Sequence, residues 1–307
     1  MARLMLVANP AASQFTGGDH RSILRSLTRH HLVEAVWPQS AADARTIAAD
    51  AVTAGFDGVI AMGGDGIVHQ IAQSLVGTDV YLAVIPAGTT NVFARQIGLP
   101  NRPTRAARIL AGEVEVSTWP VLTMDSPEIG RRHAVFTAGV GLDADVVAAA
   151  ETEPYRKYRF GAIHYARTAL GLLWKDIRKR RPEIDLKSDR GTALVIGAMA
   201  QFHTAYTYFG RIPIRFGKKP PDPMTLLAIH RLPSRRLASL LRHAATATLT
   251  EVPELEVWEG VERFSIQSPN AAAVEMDGEV IGRAHSAHFE YRAEALWVAG
   301  PPPRSLP

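Results

Sequence analysis

Along the first third of the chain, short apolar runs alternate with amphipathic stretches. The run Leu4–Ala8 ends at Asn9-Pro10, and further strands are predicted at Leu32–Trp37, Val59–Met62 and Tyr81–Ile85. Helical patterns occupy Arg21–His30, Ala41–Ala54 and Thr90–Ile97, with Ser40 placed to cap the second and Gly55 to end it. Val68, Ile71, Ala72 and Leu75 fall at helical spacing behind the strand Val59–Met62. Strands separated by helices of this length imply a parallel sheet covered on its faces by helices. Ligands of such sheets bind at the carboxyl ends of the strands.

Beyond Gly112 the rhythm changes. Val114–Leu122, Ala134–Val140, Ala193–Met199, Leu226–Ile229, Glu256–Trp258, Phe264–Gln267 and His288–Val298 read as strands with few helices between them. Helical stretches interrupt them at Ala162–Lys179 and Arg235–Ala247. The expected fold is therefore an α/β N-terminal domain with a parallel sheet, followed by a β-rich antiparallel sandwich. The expected boundaries are 1–113 and 114–307, with the segment from about residue 290 to 307 placed to dock back on the first domain.

Composition narrows the chemistry. Of 307 residues, 47% are hydrophobic and 21% charged, as in ordinary globular proteins. The absence of cysteine excludes a disulfide framework, a thiolate metal site and a cysteine nucleophile. Met1–Asn9 reads as a first strand and not as a signal peptide, and no apolar window is long enough to span a bilayer, so a cytoplasmic protein is expected. The formal charge of +4 is unevenly spread: nine Lys or Arg stand between Tyr155 and Arg181 against the single acid Asp176. Within 161–181, Ile163, Ala166, Leu170, Leu173, Trp174 and Ile177 recur at helical spacing beside these basic residues. One reading is a basic helix for peripheral contact with an anionic membrane. The other is a helix packing its apolar stripe on the β-domain with a solvated charged end. Nucleic acid is set aside as a partner, because aromatic interleaving and a known module are lacking.

Candidate chemistry sits at three turns. Gly63-Gly64-Asp65-Gly66 follows a strand and opens a helix, so its backbone can approach a ligand closely and aim amide groups at a phosphate. Asp65 within such a turn either holds a metal ion, takes a proton from an incoming hydroxyl, or merely caps. Ile85-Pro86-Ala87-Gly88-Thr89-Thr90-Asn91 repeats the strand–turn–helix arrangement, with Thr89 and Asn91 as side-chain donors to phosphate or as simple caps. Asp277-Gly278-Glu279, late in the chain, is an acidic element or a hairpin turn.

In this order and spacing, the three turns resemble the diacylglycerol kinase catalytic family, which includes sphingosine and ceramide kinases. Asn9-Pro10, the stretch Ala138–Val146 and Thr207-Tyr208-Phe209-Gly210-Arg211 agree with it. The resemblance implies a nucleotide-binding α/β domain, a β-rich lipid domain, and catalysis in the cleft between them with ATP and Mg²⁺. It further implies nucleotide contacts from Asn9, Gly63, Gly64, Gly66, Gly88, Thr89 and Asn91. Asp65, Asp277 and Glu279 would be the catalytic acids, with Asp65 or Asp277 as general base and Asp65 with Glu279 at the catalytic metal. The expected substrate is a membrane lipid such as diacylglycerol, met at the inner membrane face, and a homodimer is left open. An NAD kinase shares the Gly-Gly-Asp-Gly turn and two-domain plan, and a lipid- or nucleotide-binding protein with little catalysis is the reading from another class. Departures from the family pattern are Ile67 in place of Thr, then His69 and Gln70 in place of Asn-Glu. At the place of a structural Mg²⁺, Asp222 is kept but is followed by Pro223 and preceded by Lys218 and Lys219, which makes that metal doubtful.

Overall fold

The computed structural model describes residues 1–151, 180–218, 220–232 and 237–302. The chain divides into two compact units, one of Met1–Pro120 with Ala293–Pro307, the other Val121–Arg292. Sequence patterning puts the first boundary at residue 113, whereas the division falls seven residues later, inside a strand.

In the first unit, strands β1 (Arg3–Ala8), β2 (Leu32–Val36), β3 (Gly58–Gly63) and β4 (Tyr81–Pro86) form a parallel sheet in the order β2-β1-β3-β4. Helices α1 (Gly17–Leu27), α2 (Ala41–Thr53), α3 (Asp65–Leu75), α4 (Val92–Gln96) and α5 (Pro103–Leu110) connect or follow the strands. All six residues of β3 are buried, as expected for a central parallel strand covered on both faces. One face packs Leu4, Leu6, Ile60, Met62 and Ile85 against Ile23 and Leu27 of α1 and Leu110 of α5. Ser40 caps α2 by accepting from the Asp43 amide at 3.0 Å, and Gly55 closes that helix at φ 71°. The returning C-terminal segment adds a parallel neighbour to β4, pairing Val298 with Leu82.

The second unit is β-rich and antiparallel. The chain enters it within β5 (Glu115–Asp125) and continues through β6 (Arg132–Ala134), β7 (Thr137–Gly141) and α6 (Leu142–Glu151). Strands β8 (Ile184–Ser188), β9 (Thr192–Val195), β10 (Gly197–Gln201), β11 (Thr207–Phe209), β12 (Ile212–Ile214) and β13 (Met224–Ile229) follow. After α7 (Leu237–Ala245) come β14 (Leu255–Val261), β15 (Arg263–Met276) and β16 (Glu279–Gly300), the last leading back to the first unit. The strands pair in the order β14-β13-β10-β7-β15-β16, with β8 also on β15 and β9 on β8. Alternation along β13 shows that this sheet is buried on both sides. Met224, Leu226 and Ala228 join Phe264 and Phe289 in one core, while Leu227 and Ile229 face Tyr206, Phe216 and Leu255 in another.

Two runs read as single strands are split. Ala134–Val140 breaks at Val135-Phe136 and Ala193–Met199 breaks at Ile196. At the first break the amides of Val135 and Phe136 bond the Asp277 carboxylate instead. The predicted helix Ala162–Lys179, and with it nearly all of the basic segment 161–181, lies outside the described residues. No helix among the described residues is long and apolar enough to cross a membrane.

Candidate functional site

In the first unit, the turns after β3 and β4 lie side by side. The Ala87 amide donates to the Gly63 carbonyl at 2.7 Å, continuing the strand ladder into the turns. A Cβ on Gly88 would stand 2.6 Å from Gly64 Cα, and one on Gly64 would stand 3.5 Å from Gly88 Cα. The two backbones therefore come so close that Gly88 leaves no room for a Cβ, whereas Gly64 keeps ordinary van der Waals space. Helix α3 starts at this contact, its N-cap is Gly64, and no side chain caps it. An uncapped helix N-terminus beside a glycine-lined surface offers amides and a positive dipole end to an anion. The cradle fits a nucleotide phosphate.

The segment after β1 lies across the second turn. Asn9 donates its amide to Met62 and turns the chain by accepting from the Ala11 amide at 2.9 Å. Gln14 donates its amide to the Ala87 carbonyl and its side chain to the Gly88 carbonyl at 2.5 Å. Ser13 Oγ lies 3.2 Å from Thr89 Oγ1, which puts two exposed hydroxyls on one rim of the cradle. Ser13 and Gln14 escape a reading of the sequence because no local motif marks them; only the strand order brings them here.

Asp65 and Asn91 have roles that the sequence left open. Asp65 accepts from the amides of Val92 at 3.0 Å and Phe93 at 3.1 Å, using both carboxylate oxygens. It thus caps α4, a neighbouring helix, and fixes one glycine turn to the other. The first two amides of α4 are in this way satisfied by Asp65. Asn91 is 2% exposed and takes the left-handed conformation at φ 50°. Its Oδ1 accepts from the Gly88 amide at 2.9 Å, while Nδ2 donates to the Gly88 carbonyl and to Asn101 Oδ1. Asn91 shapes the loop and directs its amide group inward; Thr89 is the residue of that loop which faces outward.

Two of the departures from the family pattern, Ile67 and Gln70, have local contacts. Ile67 Cγ2 occupies the space beside Gly63, 2.7 Å from where a Cβ would be, so the side chain packs under the turn. Gln70 accepts from Arg45 at 2.8 Å through its neutral carboxamide oxygen.

In the second unit, Asp277-Gly278 is the two-residue turn between β15 and β16, with φ 55° and 80°. Two positive φ values and the Asp-Gly pair are those of a type I′ hairpin. The turn is only half exposed: Gly278 faces solvent, whereas Asp277 is 2% exposed. Its Oδ1 accepts from the amides of Val135 at 3.0 Å, Phe136 at 2.9 Å and Thr137 at 3.2 Å. This explains the break between β6 and β7: Val135 and Phe136 leave the ladder to bind Asp277. Glu279 is half-buried at the start of β16. Asp222 is exposed just before β13. Among the described residues, no three His, Asp or Glu groups converge as a metal site. That does not conflict with Mg²⁺, which is commonly held by one or two carboxylates together with substrate phosphates.

The described fold is thus a parallel α/β unit with paired glycine turns at its strand ends, joined to an antiparallel β-rich unit. Residues 3–119 match the diacylglycerol kinase catalytic domain. A diacylglycerol kinase of Mycobacterium tuberculosis is 41% identical over 100 residues, which are 33% of this chain and 31% of that one. A Pseudomonas putida protein named as a YegS-like lipid kinase is 32% identical over 140 residues, 45% of this chain and 44% of that one. The matched stretches thus span about a third to under half of these relatives' length. Across 98% of this chain the fold matches a crystal structure of a diacylglycerol kinase from Bacillus anthracis, with TM-score 0.70, 16% identity and 97% of that chain covered. It also matches an NAD kinase from Archaeoglobus fulgidus in complex with ATP, with TM-score 0.53, 14% identity, and 98% and 94% of the two chains covered.

Proposed function

We propose that the chain is an ATP-dependent lipid kinase that transfers the γ-phosphoryl group of ATP to a hydroxyl of a membrane lipid, diacylglycerol first among them. The observation that supports this most is the mutual approach of Gly64 and Gly88, inside the stretch that matches the diacylglycerol kinase catalytic domain. In this reading the phosphates of ATP lie against the two glycine turns and the start of α3, with Ser13 and Thr89 hydroxyls on the rim. A bound divalent ion would neutralise phosphate charge there. Phosphoryl transfer requires little covalent chemistry from the protein, so positioning and charge stabilisation carry the rate.

Asp65 and Asp277 are the two candidates for the group that takes the lipid hydroxyl's proton. Both carboxylates are oriented by backbone amides, a property that a general base needs. The better structural agreement with the diacylglycerol kinase than with the NAD kinase supports a lipid over NAD as acceptor. Peripheral attachment to an anionic membrane through the basic segment 161–181 belongs to the same proposal and rests on sequence alone.

The test is incubation with γ-labelled ATP, Mg²⁺ and mixed micelles carrying diacylglycerol, ceramide or a long-chain base. Label in the extracted lipid is the expected result. Folded protein that labels none of the three overturns the reading.

A further inference from the structure

The second unit buries a carboxyl group that the reaction above does not use. Glu275, near the end of β15, is 1% exposed, in a strand whose neighbours Val274 and Met276 are fully buried. Its Oε1 lies 3.0 Å from the hydroxyl of Tyr206, itself 7% exposed, and that hydroxyl also bonds Asp143 Oδ2 at the start of α6. The other oxygen of Glu275 accepts from the Gly278 amide at 2.9 Å. Asp143 is partly buried and sits over Gly139 of β7, where a Cβ would come within 2.1 Å of Oδ2. Gly139 is also the partner of Glu275 across the β7–β15 ladder. The strand therefore leaves a gap that the acid cluster fills.

Hydrogen counting limits the charge of this cluster. A phenol has one hydrogen, yet Tyr206 makes two hydrogen bonds to carboxyl groups. The Glu275 and Asp143 carboxyls also hydrogen-bond each other, and two carboxyls can do so only if one of them is protonated. Glu275 is the more deeply buried, and it faces the charge of Asp143; burial first, and then that charge, raise its pKa well above the ordinary carboxylate range. Burial and the two carboxyl groups likewise push the Tyr206 phenol up, so it keeps its hydrogen. The titratable groups acting on Glu275 are Asp143 from α6 and Tyr206 from the loop after β10; among the described residues no cation opposes them.

We propose that Glu275, Tyr206 and Asp143 form a single-proton clamp that positions the Asp277-Gly278-Glu279 turn. Glu275 donates to Tyr206, Tyr206 donates to Asp143, and Gly278 donates to Glu275. The turn is then gripped on two sides: Asp277 by the amides of Val135, Phe136 and Thr137, and Gly278 by the clamp. A register shift between Val274 and Glu275 bends the strand so that the acid faces inward at this place. These are positioning residues, since they act on the acidic turn and not on a substrate. The claim about activity rests on the lipid-kinase reading; the claim about the proton does not.

Two readouts keep them apart. Infrared difference spectra of the full chain at neutral pH should show the carbonyl stretch of a protonated carboxyl. That band should vanish in Glu275→Gln and persist in Asp143→Asn. Loss only in Asp143→Asn, or no band in the native protein, overturns the proton assignment whatever the enzyme does. In the micelle assay with diacylglycerol, Glu275→Gln imitates the protonated acid and should keep native kcat. Glu275→Leu loses both bonds and should lower kcat by up to about a hundredfold, with KM for ATP unchanged. Equal loss in Gln and Leu variants that are both folded by circular dichroism overturns the positioning role. No lipid phosphorylation by the native protein refutes the functional reading and leaves the infrared result standing.

Discussion

Replacing Asp277 separates its structural work from any chemical role. In Asp277→Ala, the buried amides of Val135, Phe136 and Thr137 lose their common acceptor. An unsatisfied buried donor costs about 1–3 kcal/mol, and the space left by the carboxylate admits some water, so the sum should be about 3–6 kcal/mol. Asp277→Asn keeps an oxygen at the position of Oδ1 and so retains all three bonds. It loses their charge assistance and places an NH₂ near Val135, which Oδ2 now meets at 3.0 Å, at a cost of about 1–3 kcal/mol. Denaturant unfolding of the native protein and both variants measures these values. If Asp277 is only a scaffold, the Asn variant should phosphorylate lipid at near-native rate well below its unfolding midpoint. If it is also the base, the Asn variant should be folded and inactive. An Ala variant within about 1 kcal/mol of native stability would refute the argument that these amides depend on Asp277.

Asp65→Ala removes the acceptor for the first two amides of α4 and should cost about 1–2 kcal/mol in thermal or chemical unfolding, while weakening ATP binding through the loosened turn. Gly88→Ala places a Cβ 2.6 Å from the Gly64 backbone; calorimetric titration with ATP and Mg²⁺ should show at least about tenfold weaker binding, and native affinity would remove the cradle from the account. The proton on Glu275 makes stability depend on pH. Because its folded pKa is raised, its contribution is full below the ordinary carboxylate pKa and is lost as pH rises toward the raised value, by about 1.4 kcal/mol per pH unit in that window. Relative to Glu275→Gln, the native protein should therefore lose stability on going from acid to neutral pH, and parallel curves would refute the shift.

The first unit was legible because each strand is a short apolar run ended by a turn whose composition has a steric reason. Gly64 and Gly88 stand where backbones touch, and Ser40 and Gly55 close a helix by local chemistry. The second unit was less so. Its strands pair across long separations, so the split of Ala134–Val140 could be known only once Asp277, far along the chain, had claimed three of its amides. The same holds for Glu275, whose one local signal was an acid between Val274 and Met276 in a buried run; its partners Tyr206 and Asp143 come from other elements. The small helix α5 and strands β8, β11 and β12 were not read because three- to eight-residue elements give too few repeats of a hydrophobic period. Asp65 illustrates a different limit. Its residue type suited metal, base and cap alike, and geometry alone revealed the bond to α4.

The most direct test of the central claim offers both acceptors at once: native protein with γ-labelled ATP and Mg²⁺, diacylglycerol micelles and NAD in one vessel, with lipid and nucleotide fractions counted separately. Label should accumulate in the lipid and be absent from the nucleotide acceptor. Label in NAD with none in lipid would contradict a lipid kinase, and label in neither would contradict phosphoryl transfer to both acceptor classes.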